Sequence, residues 1–364
     1  MRKISVVLSC LWAVNAYSAD VSPYIVNGTQ VSDSELFNTY PTFTSLYFHD
    51  GSRYGNYCGA TLINSQYVLT AAHCIYQDYD EMLNTWVVPR MSDQSVYSNG
   101  SYMSARVEKI YYPSTYSPNL DPSNGPVLPD DIAVLKLESS LNVGDYASII
   151  NSTVDNTYAL NRGSETFKAV GRGYTTHVAD NGGNTISRTT TDVVLQASLT
   201  STNTCNPLTN KQLCFDGPLS GSYKNSTCNG DSGGPVYWWD GSGYKQIGIT
   251  SYGPFTCGDP TRSYTSVFTE IYDYSTWISN VLNGSEQPKY YVEKLSTIRQ
   301  LKEQSSGNIV ATSSALLNDT VMPSIQSSSS TSTSTSSGGG GGGGGSLGLA
   351  FLTLLGFVGW RRNQ

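Results

Sequence analysis

Three short segments of the chain carry residue types able to attack an unactivated carbonyl near neutral pH. Such an attack needs an activated nucleophile, a base that titrates near pH 7 and donors for the developing oxyanion. The chain has only three histidines, His49, His73 and His177. His73 lies in Leu69-Thr70-Ala71-Ala72-His73-Cys74, and Ser232 lies in Gly230-Asp231-Ser232-Gly233-Gly234-Pro235. A carboxylate opens the run Asp131-Ile132-Ala133-Val134-Leu135-Lys136-Leu137, with Asp130 directly before it. By residue type alone, either carboxylate could orient the base.

These groups must be held by a scaffold, and the chain between about 25 and 284 reads as β-structure. Short apolar or alternating runs are broken by Gly, Asn, Asp and Pro. Strands are predicted over Thr42–Phe48, Asp131–Leu137, Lys168–Tyr174 and Asp192–Leu199. Val236–Trp239 and Tyr244–Thr250 flank Asp240-Gly241-Ser242-Gly243, a hairpin signal. One helix is predicted, Ser275–Leu282, with Trp277, Ile278, Val281 and Leu282 on one face and Gly284 at its stop. Many strands and one terminal helix imply barrels or a sandwich. A net charge of −7 leaves no basic footprint for nucleic acid.

The three segments, in this order, resemble the His, Asp and Ser motifs of the chymotrypsin/trypsin-like serine proteases. Ile25-Val26-Asn27-Gly28 is similar to the mature N-terminus of that family. Gly171-Arg172-Gly173 resembles its Gly-Trp-Gly turn and Ser251-Tyr252-Gly253 its Ser-Trp-Gly substrate strand. The resemblance covers residues 25–284 and implies an all-β fold of two six-stranded antiparallel β-barrels with a short C-terminal helix. It implies a serine endopeptidase acting on polypeptide substrates, without cofactor or metal. In that reading Ser232 is the nucleophile, His73 the base, and Asp131 rather than Asp130 the orienting carboxylate. The backbone N–H groups of Gly230 and Ser232 form the oxyanion hole. A new amino group at Ile25 pairs with Asp231 when the zymogen is cut. A catalytically inert homologue acting as a binding module is the alternative.

The same resemblance places Ser226 at the floor of the primary pocket, Gly253 at its entrance, Ser251 on the substrate strand and Ser266 on the opposite wall. A neutral floor disfavours Arg and Lys, because a buried cation loses hydration without a partner. Aromatic or large aliphatic residues before the cut are expected, unless Asp259 turns into the pocket. Six cysteines follow the leader: Cys58, Cys74, Cys205, Cys214, Cys228 and Cys257. Alone they permit 15 pairings; the family template implies Cys58–Cys74, Cys205–Cys214 and Cys228–Cys257. Asp78, Asp80 and Glu81 read as a solvated acidic turn rather than a calcium site.

The ends differ in character. Residues 1–19 read as a signal peptide for signal peptidase, with Arg2 and Lys3 before an apolar stretch. Residues 20–24 read as a propeptide ending in Tyr24. Residues 285–337 are polar and read as a linker, with one short helix around Val292–Glu303. Residues 338–364 join eight glycines to a short apolar run and Arg361-Arg362. That tail resembles the GlyGly-CTERM sorting signal. The resemblance implies export through a bacterial periplasm, transient membrane contact through the tail, removal by a rhomboid-type protease, and a secreted or cell-surface product. A GPI signal is the rival. Against it stand the terminal arginines and the sequons at Asn27 and Asn225, where a glycan would obstruct the activated N-terminus or the pocket.

Overall fold

The computed structural model describes residues 25–314 apart from 101, 122–124, 147–156, 159–164, 181–182 and 206–208. Residues 1–24, which the sequence reading takes as leader and propeptide, and the chain beyond 314 lie outside the described residues.

Twelve strands close into two six-stranded antiparallel barrels. The first contains β1 (Phe43–His49), β2 (Tyr54–Leu62), β3 (Tyr67–Thr70), β4 (Thr85–Pro89), β5 (Ala105–Tyr111) and β6 (Ala133–Leu137). Their order is β5-β4-β1-β2-β3-β6, closed by pairing of β5 with β6. The second contains β7 (Thr166–Gly171), β8 (Leu195–Ser201), β9 (Gln212–Asp216), β10 (Pro235–Trp239), β11 (Tyr244–Tyr252) and β12 (Ser266–Glu270). Their order is β8-β7-β10-β11-β12-β9, closed by β8 with β9.

Strand β1 shows why alternation is weak in these sequences. All seven of its residues are buried. Leu46 enters the main core, while Tyr47 on the other face packs with Trp86, Val88, Met91 and Tyr97. A strand covered on both sides reads as a continuous apolar run. Between the barrels, Ser92–Gln94 runs beside Asp192–Val194, with Gln94 N–H to Asp192 O and Val194 N–H to Ser92 O both at 2.7 Å. Arg172, where the family pattern has Trp, is buried at this seam and donates to the carbonyls of Asp192 (2.9 Å) and Met91.

Three short helices with described bounds accompany the barrels. α1 (Asp33–Asn38) begins with a capping box in which Ser32 and Glu35 satisfy each other's backbone N–H. α2 (Tyr79–Asn84) is capped by Asp78, whose Oδ1 accepts the Glu81 N–H at 2.9 Å. α3 (Ser275–Leu282) falls where the sequence predicts it, with Ile278 and Val281 buried. The S-x-x-E signal of α1 was available in the sequence. Both α1 and α2 are too short to show a periodic face.

Two expectations are corrected. The acidic turn is not solvated throughout, because Glu81 is buried and its Oε1 has no hydrogen-bond partner among the described residues. Burial, together with the charges of Asp78 and Asp80, holds its carboxyl well above the ordinary range. A raised folded pKa means full stability below the unfolded value and erosion as pH rises through the folded one. Glu81→Gln is therefore expected to raise the Tm at pH 8, by the equivalent of about 1–3 kcal/mol for an unsatisfied buried group. The gain should vanish at pH 4, which calorimetry at the two pH values checks.

The second correction concerns residues 285–313, read as linker with a short helix. They form β13 (Tyr290–Lys294), β14 (Arg299–Glu303) and β15 (Ile309–Ser313), a sheet extension of the first barrel. β13 pairs with β5 through Tyr290–Ile110 and Tyr291–Lys109. Tyr290, Val292 and Leu301 alternate into the main core. Arg299 is wholly buried and pairs with Glu138, which also meets Lys294 Nζ at 2.7 Å. The apolar alternation was present in the sequence. It was hidden because one inward position holds an arginine whose counter-charge lies far away in the chain.

Candidate active site

His73 occupies a 3₁₀ turn, Ala72–Cys74, directly after β3. Cys74 is bonded to Cys58 on β2, so the turn is braced against the neighbouring strand. The same three side chains, Cys58, His73 and Cys74, cluster closely enough to suggest metal ligation. Both sulfurs are consumed in the disulfide and supply no thiolate.

Asp131 is fully buried and grips His73 twice. Its Oδ1 accepts the backbone N–H of His73 at 2.9 Å, and its Oδ2 lies 2.8 Å from the ring Nδ1. A carboxylate accepts, so Nδ1 carries the ring proton and Nε2 keeps its lone pair. The Ser251 hydroxyl donates to the same Oδ2 at 2.5 Å, and Thr269 Oγ1 donates to the Asp131 carbonyl at 2.8 Å. Residues from both barrels thus fix one carboxylate. Asp130 is turned elsewhere, to Lys211 Nζ (3.0 Å) and Tyr274 OH (2.6 Å). Burial raises its pKa, but the hydrogen bonds from Thr115, Tyr274 and Lys211 outweigh this and hold it below the usual range.

Ser232 sits in the tight turn before β10. Its carbonyl accepts the Gly59 N–H of β2 at 2.7 Å, and Gly233 lies against Thr70 and Ala71 at the end of β3. The serine turn of the second barrel therefore rests on the strand that delivers His73. Gly230 has φ +95°, a conformation that only glycine holds cheaply. Asp231, Gly233 and Gly234 donate their N–H groups to Cys228, Thr250 and Asp231 carbonyls. Among the described residues no acceptor takes the N–H of Gly230 or Ser232, which leaves this pair available to an incoming oxygen.

The Asp231 side chain points inward, accepting from Gly173 N–H (2.6 Å) and Cys228 N–H (2.8 Å). Burial pushes its carboxyl up to about 7 in spite of those two donors. Ile25 is fully buried, and Val26 bridges to Ser226. Ser226, also fully buried, donates to the carbonyls of Thr227 (2.6 Å) and Thr265 (3.1 Å). Ser266 Oγ accepts from Thr227 N–H (3.1 Å) and Thr227 Oγ1 (2.9 Å). Gly253 passes beside Thr265 and Ser266. Three of the predicted pocket residues, Ser226, Gly253 and Ser266, are thus assembled with Thr227 and Thr265 around a cluster of hydroxyls, while Ser251 is turned to Asp131. Asp259 is engaged with Thr261 and Arg262 in its own turn. Thr227 was missed from the sequence, although it adjoins Ser226. Cys205–Cys214 and Cys228–Cys257 are formed as well.

Residues 25–278 match the Trypsin family. The chain belongs to that family, the chymotrypsin-like serine endopeptidases. It is 30% identical over 265 residues to Melanization protease 1 of Drosophila melanogaster, covering 64% of this chain and 60% of that protein. It is 28% identical over 261 residues to Trypsin-1 of Astacus astacus, covering 70% and 98%. Chymotrypsin-like elastase family member 1 of Bos taurus is 28% identical over 261 residues, covering 71% and 89%. The chain thus spans less than two thirds of the first of these and nearly all of the second.

Proposed function

We propose that this chain is a secreted or cell-surface endopeptidase that cuts after aromatic or large aliphatic residues. The double grip of Asp131 on His73 supports the active-site reading most directly. Ser232 Oγ attacks the scissile carbonyl while His73 Nε2 takes its proton and returns it to the leaving amine. Asp131 holds the tautomer and stabilises the imidazolium, and the N–H groups of Gly230 and Ser232 receive the oxyanion. The pocket floor offers hydroxyls that are already engaged with carbonyls and with one another. A lysine or arginine head would arrive there without a counter-charge.

The precursor carries a leader (1–19) and a five-residue propeptide (20–24). Cleavage after Tyr24 frees the Ile25 ammonium to pair with buried Asp231. Tyr24 itself suits the proposed pocket, so the enzyme activates its own precursor. Residues 314–337 are then the linker and 338–364 a sorting segment removed after export; a periplasmic route rests on that tail alone.

The test uses a Ser232→Ala precursor, incubated alone and with a trace of active enzyme, followed by N-terminal sequencing. Ile25 should appear as a new terminus only in the second case. A peptide library should show Tyr, Phe, Leu or Met preferred over Arg or Lys by about 100-fold or more, the cost of an unpaired buried charge. Dominant cutting after Arg or Lys would sink the pocket reading.

A further inference from the structure

The chain after Gly173 forms a hairpin, Thr176–Ala179 with Thr185–Thr189, that no catalytic step described above uses. Its first strand carries His177, a buried ring held at both nitrogens. Phe255 O lies 2.8 Å from Nδ1 and Thr185 Oγ1 lies 3.0 Å from Nε2. A carbonyl oxygen only accepts, so Nδ1 bears the proton and Nε2 accepts from the Thr185 hydroxyl. The backbone makes parallel ties. Cys257 N–H donates to His177 O at 3.0 Å, and Ala179 N–H donates to Thr256 Oγ1 at 3.0 Å. Gly183, at φ +80°, completes the contact, since a Cβ there would stand 3.1 Å from the Phe255 ring. Three successive residues, Phe255, Thr256 and Cys257, are therefore fastened to one hairpin.

Those residues sit between two parts of the proposed pocket. Gly253 is two residues upstream, beside Thr265 and Ser266. Cys257 is bonded to Cys228, two residues beyond Ser226. From this placement we infer that the 176–189 hairpin is the rear support of the pocket entrance, with His177 as the positioning residue that fixes it. The inference rests on the pocket reading above. When the Nδ1–H bond is lost, the 253–257 segment loses its hold midway between pocket and disulfide. An extended peptide must then order it on binding, a cost that falls on KM. His73, Asp131 and Ser232 keep their own contacts, so kcat is preserved.

The experiment compares the wild-type protease with His177→Ala, His177→Asn, His177→Gln and Thr185→Val. One readout is hydrolysis of an extended peptide with Tyr before the scissile bond; the other is the rate of Ser232 modification by a small dialkyl fluorophosphate. His177→Ala should raise KM about tenfold, the scale of one net hydrogen bond, with kcat within about twofold. The fluorophosphate rate should not change. His177→Asn, whose amide takes the place of Nδ1–H, should restore KM; His177→Gln, whose amide reaches the Nε2 place, should not. Thr185→Val leaves the Phe255 bond intact and should stay within about twofold of wild type.

An unchanged KM in His177→Ala overturns the inference, as does equal damage from Thr185→Val, which would make the effect one of hairpin stability. A parallel fall in the fluorophosphate rate overturns it as well. Should the alanine variant not fold, equal KM values for Asn and Gln overturn it. A wild-type chain unreactive towards fluorophosphate would instead overturn the active-site reading, and this inference with it.

Discussion

Asp131→Asn is expected to lower kcat by about 10⁴-fold with KM nearly unchanged, the scale set by losing an orienting carboxylate. The physical cause lies in the Nδ1 contact of 2.8 Å. An Asn amide presenting its NH₂ there would force the proton onto Nε2 and leave no lone pair for the Ser232 proton. The opposite amide orientation is penalised as well, because it turns the NH₂ towards the backbone N–H of His73, which Oδ1 accepts at 2.9 Å. Asp130→Asn serves as the contrast. Its carboxylate meets Lys211 and Tyr274, and its loss should cost about 1 kcal/mol of stability with kcat changed only a few-fold. Steady-state kinetics on the two variants decide the matter. A comparable fall in kcat from Asp130→Asn would reverse the assignment.

The second large effect concerns the C-terminal extension. A chain ended after Gly284, close to where the family match stops, should fail to accumulate as folded protein, whereas one ended after Ser313 should be active. Losing the buried side chains of Tyr290, Val292 and Leu301 removes roughly 5–9 kcal/mol, at about 1.5–3 kcal/mol each. That is comparable with the whole stability of an ordinary domain, about 5–15 kcal/mol. The truncation also bares the edge of β5, an invitation to aggregate. Soluble yield, thermal unfolding and burst titration of the two truncations test this. A stable, active chain ending at Gly284 would reduce the extension to an appendage.

Much of the site was legible in the sequence because its chemistry is packed into contiguous motifs. A serine turn that needs glycine on both sides, and a base next to its bracing cysteine, are local arrangements and survive reading one residue at a time. The choice between Asp130 and Asp131 came from the family pattern; the structure gives its physical basis in the opposite directions of two adjacent side chains, with Asp130 at φ +56°. What could not be read depends on partners distant in the chain. Arg172 stands where the family turn has Trp, and nothing local in the sequence shows that it is buried with its charge among carbonyls of Met91 and Asp192. Of the three histidines only His73 had an assigned role, and His177 acquires one only where Phe255 meets its ring. Strands 290–313 read as polar linker because Arg299 is neutral in effect only beside Glu138.

The register of Tyr290 with Ile110 also sets an order of events during synthesis. β5 and Glu138 leave the ribosome early, but the strand and the guanidinium that complete them emerge only after the entire second barrel. The usual advantage of vectorial synthesis, an amino-terminal half that is finished before the rest appears, is therefore denied to this chain. Its first barrel must wait, with an open edge and an unmatched carboxylate, until about residue 303 is made. Closure of so distant a loop is slow. The first barrel is thus completed after the second, and a nascent chain stalled before that point carries an amino-terminal half still lacking its last strand and its counter-charge.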